Sequence, residues 1–405
     1  MVPSVACMRV LLLNQFYPPD VAPTGHYLHD LGRALVAAGH QVTVVASRHA
    51  YAGGGEYAAH EWLEGVEVVR LSGFGFGRSS YVGKLADYLG YYTRLAAKLA
   101  FSHKPDLIVA LTTPPFVGLL AMLAARARGA RHAHWVMDVY PDVMKAHGML
   151  DGAAYAALQQ LARLAFTRAS LVVTLGPAMA ETLRPYVRAG TQLQWVPLWA
   201  PAALKPWPAG EPVPLRAERG WAADQTVLLY SGNMGLGHRF EEFLSAAERL
   251  GPRGPRWVFA GTGRSRPTIE RFVEAHPELP VQLMSYVPEE TLRQHLCSAD
   301  VHLVSLDARW EGTLLPSKLQ ASFALGKPVI FVGAPSQDMA RWIEQSGGGW
   351  VVGEGDVAGL LAAVEQAKDP LERAKRGQLA LQYSQHELAK ATNVQRLVQL
   401  LAADN

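Results

Sequence analysis

Short runs rich in Val, Ile and Leu alternate with longer helical stretches along almost the whole chain, an order that admits few architectures besides parallel sheets covered by helices. The pattern opens with a strand over Arg9 to Asn14, a loop over Gln15 to Gly25, a helix over His26 to Ala38 stopped by Gly39, and a strand over Gln41 to Ala46. This is a βαβ unit. Between Leu198 and Pro214 the prolines 201, 206, 208, 212 and 214 interrupt the alternation, which restarts with a strand over Thr226 to Tyr230. The chain therefore reads as two α/β domains, residues 1–198 and 215–385, joined by a stiff linker over 199–214 and followed by a last helical segment over 386–405. With 405 residues and 49% hydrophobic content, it can build two separate cores.

The stretch richest in chemistry lies in the second domain. Glu311-Gly312-Thr313-Leu314-Leu315-Pro316-Ser317-Lys318 is a loop running into a short helix that Ser317 is placed to cap and Gly326 to end, before the strand Val329 to Gly333. Backbone N–H groups at such a helix start, with Lys318 beside them, suit a diphosphate; otherwise Lys318 is a surface lysine on a core-packing helix. Two glycine-rich strand-to-helix turns precede it, Ser231 to Arg239 with Gly235 and Gly237, and Gly261-Thr262-Gly263. Both let backbone approach phosphate closely, and Arg239 adds a cation. The dinucleotide fingerprint is absent, because Phe240 stands where its third glycine would be.

In the first domain, Thr24 and Gly25 end a loop at the carboxyl edge of a parallel sheet, where ligands bind, although any tight loop uses such residues. The segment His132 to Asp142 delivers Asp138 and Asp142 to the same edge, as acid/base or hydroxyl-binding groups or as helix caps; capping suits Asp142 and function Asp138. His132 and His134 share a strand face but have no third ligand nearby, so a metal is not expected. A helix over Tyr81 to Ser102 interleaves Tyr81, Tyr88, Tyr91 and Tyr92 with Lys84, Arg94 and Lys98, a pattern that fits either an anionic membrane surface or a half-buried helix with snorkelling cations. Gly53-Gly54-Gly55 and the glycines from 73 to 77 precede no helix and read as loops.

Net charge is only +3, which argues against nucleic acid, but residues 1–200 hold 17 Lys+Arg against 12 Asp+Glu, a balance of +5. The remainder holds 38 − 17 = 21 against 35 − 12 = 23, a balance of −2. Two cysteines make neither a disulfide framework nor a cysteine zinc site, which fits a cytoplasmic setting. No basic n-region or bilayer-length apolar run is found.

Taken together, Asn14 to Asp20, Met137 to Asp142, Ser231 to Gly235, and Pro316-Ser317-Lys318 with Gly326-Lys327-Pro328 resemble the GT-B family 4 glycosyltransferases of the colanic-acid and O-antigen, fucosamine-transferase-like type. The resemblance implies two Rossmann-like domains facing a cleft, a nucleotide sugar held by the C-terminal domain, an acceptor held by the N-terminal one, and a last helix, about His386 to Ala402, crossing back to the first domain. The family's basic pair for the donor diphosphate falls on Asn233 and Arg239, and its paired glutamates on Thr313 and Ala321, so only Arg239 keeps the pattern. Glu311 lies near enough in sequence to replace the first glutamate. With these, Gly235, Gly237, Gly261, Gly263, Val287, Leu315, Pro316, Ser317 and Lys318 are expected to border the donor, and Thr24, Gly25 and Asp142 the acceptor.

The expected reaction is metal-independent hexosyl transfer, with retention, from a UDP- or GDP-linked sugar to a polyprenyl-diphosphate-linked or saccharide hydroxyl in surface polysaccharide synthesis. No cofactor is expected, and the enzyme is expected in the cytoplasm or peripherally on the membrane. Lys318, Arg239 and the glycine-turn N–H groups would stabilise charge on the leaving diphosphate, with Asp138 the leading catalytic group of the first domain. No Asp-x-Asp pattern is present to hold a divalent ion. The alternatives are a nucleotide-sugar-binding protein without catalysis, a nucleotide-sugar epimerase of the same architecture, and a nicotinamide-dependent dehydrogenase.

Overall fold

The computed structural model describes residues 7–50, 55–73, 81–101, 103–222 and 224–403, the side chains of 81, 82 and 84–86 excepted. Gly53, Gly54, the glycines at 75 and 77, and the side chains of Tyr81 and Lys84 therefore lie outside the described residues. Two compact units result: residues 1–196 with 393–405, and residues 197–392.

The first unit runs β1 (Arg9–Leu13), α1 (Pro23–Ala37), β2 (Gln41–Ser47), β3 (His60–Leu63), β4 (Val66–Leu71), α2 (Tyr81–Phe101), β5 (Leu107–Ala110) and α3 (Val117–Arg128). It continues with β6 (Arg131–Trp135), α4 (Asp142–Ala146), α5 (Gly152–Phe166), β7 (Leu171–Thr174), α6 (Pro177–Leu183) and β8 (Gln192–Trp195). Its sheet has the order β3-β4-β2-β1-β5-β6-β7-β8, parallel except for the β3–β4 pair. Central strands are apolar on both faces, as helix-covered parallel strands must be; β5 (LIVA) and β7 (LVVT) are buried throughout. Because β1 pairs with β2 on one side and β5 on the other, the crossover direction reverses there. That gap at the carboxyl edge is where such sheets hold ligands.

The second unit runs α7 (Pro214–Glu218), β9 (Val227–Ser231), α8 (Glu241–Leu250), β10 (Arg256–Ala260), α9 (Arg266–Ala275), β11 (Val281–Met284), α10 (Glu289–Cys297) and β12 (Val301–Leu306). There follow α11 (Lys318–Ala324), β13 (Val329–Gly333), α12 (Asp338–Ser346), β14 (Gly349–Val352), α13 (Val357–Lys368) and α14 (Pro370–His386). Its parallel sheet has the order β11-β10-β9-β12-β13-β14, with the switch point between β9 and β12. The last helix, α15 (Lys390–Ala402), belongs from Asn393 onward to the first unit. There it buries Leu397 and Leu401 and sets the Arg396 guanidinium 5.4 Å from the Trp195 ring centre. His386 closes α14 rather than opening the final helix.

Two expectations change, and the half-buried alternative for α2 gains support. The proline-rich stretch is no free spacer: Leu204 is buried in a core of the second unit with Trp221, and Arg293 sits 5.0 Å over the Trp207 ring while donating to the carbonyls of Lys205 and Pro206. Helix α1 begins at Pro23, whose fixed φ suits a first helical position, so Thr24 and Gly25 lie in a helical turn, not a loop. In α2, Tyr91, Leu95 and Leu99 form an i, i+4, i+8 core stripe, and the Tyr92 hydroxyl donates to the Pro115 carbonyl. Arg94 donates to the carbonyls of Ser72 and Gly73, so this helix is the half-buried kind.

Candidate active site

In the second unit the loops after β9 and β12 flank the switch point. The two glycine turns press together: a Cβ on Gly261 would stand 2.0 Å from the Gly232 carbonyl oxygen, and one on Gly263 would stand 2.4 Å from that of Met234. Both glycines take positive φ, +135° and +146°, which side chains resist. The Gly232 N–H donates to Ala260 and the Met234 N–H to Thr262, which closes the turn. Gly237 lets the chain cross the Trp310 indole, 2.9 Å from where its Cβ would be. Gly235 meets only the Asn233 side chain, whose carbonyl oxygen also faces Gly263.

Lys318 comes into this turn from the other side of the switch point. Its Cε lies 3.0 Å from where Gly232 would carry a Cβ, and its ammonium stands 3.3 Å from His238 Nε2 and 5.0 Å from the centre of the Tyr230 ring. His238 Nδ1 lies 2.6 Å from the Ser305 carbonyl oxygen, which can only accept, so the proton sits on Nδ1 and Nε2 offers its lone pair to Lys318. Burial and the Lys318 charge push the His238 pKa down to about 3, which keeps that ring neutral. Among the described residues no carboxylate pairs with Lys318, and burial pulls its pKa down to about 8. It is a cation held by a lone pair and a ring face, both neutral.

Arg239, one residue beyond His238, is held differently. Its Nε and Nη2 bond Glu242 Oε1 at 2.8 and 2.5 Å, while Nη1 faces Asp307 at 3.7 Å and Glu354 at 3.8 Å. Burial alone would lower its pKa, yet these carboxylates raise it. Three internal acids therefore already surround the charge of Arg239, and the network ties the loop after β12 to Gly355, whose N–H donates to Glu242. Ser317 occupies the N-cap position of α11, but its hydroxyl makes no cap bond. Glu311 accepts from the Ser336 hydroxyl at 2.9 Å. Thr313 is buried and donates to the Trp310 carbonyl, and Ala321 packs against a core, so neither family glutamate position faces the turn with a polar group to spare. Val287 and Leu315 are half-buried and Pro316 is buried.

In the first unit, the loops after β1 and β5 meet through Gln15 N–H donating to the Thr113 carbonyl at 2.7 Å. Asn14 Nδ2 donates to the Phe16 carbonyl and to Thr24 Oγ1, and a Cβ on Gly25 would stand 3.1 Å from the Phe16–Tyr17 backbone. Thr112 Oγ1 accepts from the N–H groups of Met137 and Asp138 at 3.2 and 3.1 Å, fixing the chain just beyond β6. The Asp138 carboxyl has no hydrogen bond or cation among the described residues, and burial lifts its pKa to about 6. Asp142 differs: its oxygens accept from the hydroxyls of Tyr155 (2.9 Å) and Tyr186 (2.5 Å). It is not the N-cap of α4, which is Pro141, and both oxygens are engaged inside the unit.

Sequence reasoning passed over His238, Tyr230 and Thr112 as functional residues. The first two stand beside quoted motif residues, but their meaning depends on Ser305 and Lys318, far along the chain.

Two Rossmann-like units with loops gathered at their switch points, and a last helix that belongs to the first unit, are the GT-B architecture. Residues 24–199 match the glycosyl transferase 4-like domain, and residues 225–369 match the glycosyl transferases group 1 domain. The chain is 24% identical over 409 residues to the colanic acid biosynthesis glycosyl transferase WcaI of Escherichia coli, covering 96% of this chain and 99% of that one. It is 24% identical over 268 residues to the glycosyltransferase WbjE of Pseudomonas aeruginosa, 65% of this chain and 66% of that one. Among solved structures, the sucrose-phosphate synthase of Thermosynechococcus elongatus superimposes with a TM-score of 0.75 at 18% identity, over 97% of this chain and 98% of the other. HepE of Anabaena in complex with UDP-glucose does so with a TM-score of 0.71 at 15% identity, over 98% and 99%. The chain belongs to the family 4 glycosyltransferases.

Proposed function

We propose that this glycosyltransferase moves a hexosyl group, with retention, from a UDP- or GDP-linked sugar to a hydroxyl of a polyprenyl-diphosphate-linked or saccharide acceptor in surface polysaccharide assembly. The observation that carries the donor half is the Lys318 ammonium, buried beside Gly232 with no carboxylate among the described residues to balance it. A diphosphate there would supply the missing charge, and as the sugar departs the same ammonium would stabilise the negative charge that develops. HepE is described in complex with UDP and with UDP-glucose, and WcaI carries colanic acid synthesis in its name, which favours a nucleotide sugar and a polysaccharide context.

In this reading the charge of Lys318 does the work a divalent ion does elsewhere, and no cofactor takes part. Gly261, Gly263, Gly235 and Asn233 shape the phosphate turn, and Glu311, Ser317, Leu315, Pro316 and Val287 border the donor. Asp138, with a pKa near 6, accepts the proton of the acceptor hydroxyl or orients it, and Thr24 and Gly25 border the acceptor. The enzyme works in the cytoplasm. The excess of positive charge in residues 1–200 supports contact with an anionic membrane surface, and no helix among the described residues is long and apolar enough to cross one. Thermal stabilisation against UDP-, GDP-, ADP- and dTDP-sugars tests the proposal, since a ligand at 100 times its Kd adds about 2.7 kcal/mol. One stabilising donor, consumed only when an acceptor is added, supports it; a donor hydrolysed, epimerised or bound without transfer contradicts it.

A further inference from the structure

At the opposite end of the first unit's sheet, the strand starts of β6, β7 and β8 and the ends of α3 and α5 border an open surface pocket of about 580 Å³, its three arginines exposed. That is an ordinary size for a small-ligand pocket. Arg126, Arg168 and Arg188 line it, and no carboxylate does. Among the described residues none of these three guanidiniums has a hydrogen bond or an ion pair, whereas the nearby Arg128 donates to the carbonyls of Leu99 and Ala100. Cations at helix ends often just balance the helix dipole, and Arg126 and Arg168 do lie at the ends of α3 and α5. Two helix ends supply about half a negative charge each, so three full positive charges leave an excess of about two.

An independent feature points the same way. His132 lines the pocket with 3% of its surface exposed, and neither ring nitrogen has a hydrogen-bond partner among the described residues. Leaving such a group unpaired costs about 1–3 kcal/mol. Its other neighbour, the His134 ring, meets it edge-on at 4.5 Å and offers no compensation. A bound ligand would.

We propose that this cavity binds a phosphate-bearing anion, gripped by the forks of Arg126, Arg168 and Arg188 and donated to at its buried end by His132. Three guanidinium forks and an imidazole present more donors than the two oxygens of a carboxylate can accept, while a phosphate ester or diphosphate has oxygens enough. The site stands apart from Asp138: His132 is near the start of β6, Trp135 ends the strand roughly 10 Å further on at about 3.3 Å per strand residue, and Asp138 lies beyond that end. Its ligand is either a soluble phosphate compound or the headgroup phosphate of a lipid. Exposed Leu123 and Leu164, on the same two helices, make the second source worth testing.

Hydrogen exchange of the full chain, read by mass spectrometry over residues 122–132, 167–171 and 187–192, tests this separately from the donor turn at 230–240. The probes are inorganic pyrophosphate, phosphatidylglycerol vesicles and neutral phosphatidylcholine vesicles. Protection by pyrophosphate identifies a soluble ligand, and protection by phosphatidylglycerol vesicles alone identifies a headgroup. In either case Arg168→Gln with Arg188→Gln should weaken the response at least about tenfold while the donor-turn peptides keep theirs. No protection by either anionic probe, equal protection by neutral vesicles, or protection indifferent to both substitutions overturns the proposal.

Discussion

Among the described residues, each switch point holds a titratable group without an opposite charge, and the two groups have opposite sign. In the first unit it is the Asp138 carboxyl, lifted to a pKa of about 6; in the second it is the Lys318 ammonium, lowered to about 8. Close to each stands a group of the same kind that is satisfied: Asp142 between two tyrosine hydroxyls, and Arg239 among three carboxylates. A satisfied charge stabilises the fold and has little left to give a ligand. An unsatisfied one keeps a folding penalty that only a ligand or a proton relieves. We propose from this difference that Asp138 and Lys318 serve the reaction and that Asp142 and Arg239 serve the fold, and each proposal can be broken.

The largest effect should come from Asp138→Asn, which keeps the shape and removes the proton acceptor. We expect kcat to fall by about a hundredfold or more with the donor Kd within about threefold. In the parent, activity should decline as pH falls through about 6, because the raised pKa leaves the carboxyl protonated below that value; the variant should lack this limb. Steady-state rates from pH 5 to 8 with calorimetric donor affinities decide it, and unchanged kcat would move the first unit's chemistry elsewhere.

Next is the pH dependence of donor affinity. The folded pKa of Lys318 is depressed, so the free enzyme loses this proton as pH rises through about 8, well before an unfolded chain would. A nucleotide sugar should bind most tightly below pH 8 and about tenfold more weakly by pH 10, taking up a proton on binding in between. Calorimetry in two buffers of different ionisation enthalpy reads that proton. A flat profile would mean that Lys318 does not meet the diphosphate.

A smaller effect is expected from His238→Ala, which removes a neutral acceptor that aims Lys318. Loss of one such hydrogen bond, about 1 kcal/mol, should raise the donor Kd about fivefold. A rise as large as that from removing Lys318 itself would make His238 a phosphate ligand in its own right.

How much of this could be read along the chain depends on sequence distance. Strand β13 spans Val329–Gly333 and strand β2 Gln41–Ser47, as the local pattern reads to within a residue, because the signals that set them, Gly326 and Gly39, are adjacent. The start of α1 was misplaced because no side chain caps it and Pro23 serves as first helical residue. The tyrosines of α2 were ambiguous until packing showed Tyr91 in line with Leu95 and Leu99. Among charged groups the local signal fails. Asp142 reads as a cap, yet its partners are 13 and 44 residues away; Lys318 reads as a surface lysine unless His238, 80 residues back, is known to face it. Motif residues carry the types of group a diphosphate needs, but which of them is still free follows only from the folded network.

The central claim is that Lys318, not Arg239, supplies the cation for the donor diphosphate. The most direct test is calorimetric titration of the stabilising nucleotide sugar into the parent, Lys318→Ala and Arg239→Ala at pH 7. Lys318→Ala should raise Kd at least about tenfold, roughly 1.4 kcal/mol, while Arg239→Ala should stay within about threefold and lower the melting temperature instead. If Lys318→Ala binds donor like the parent and Arg239→Ala does not, the account is wrong and the phosphates lie against the carboxylate-bound arginine.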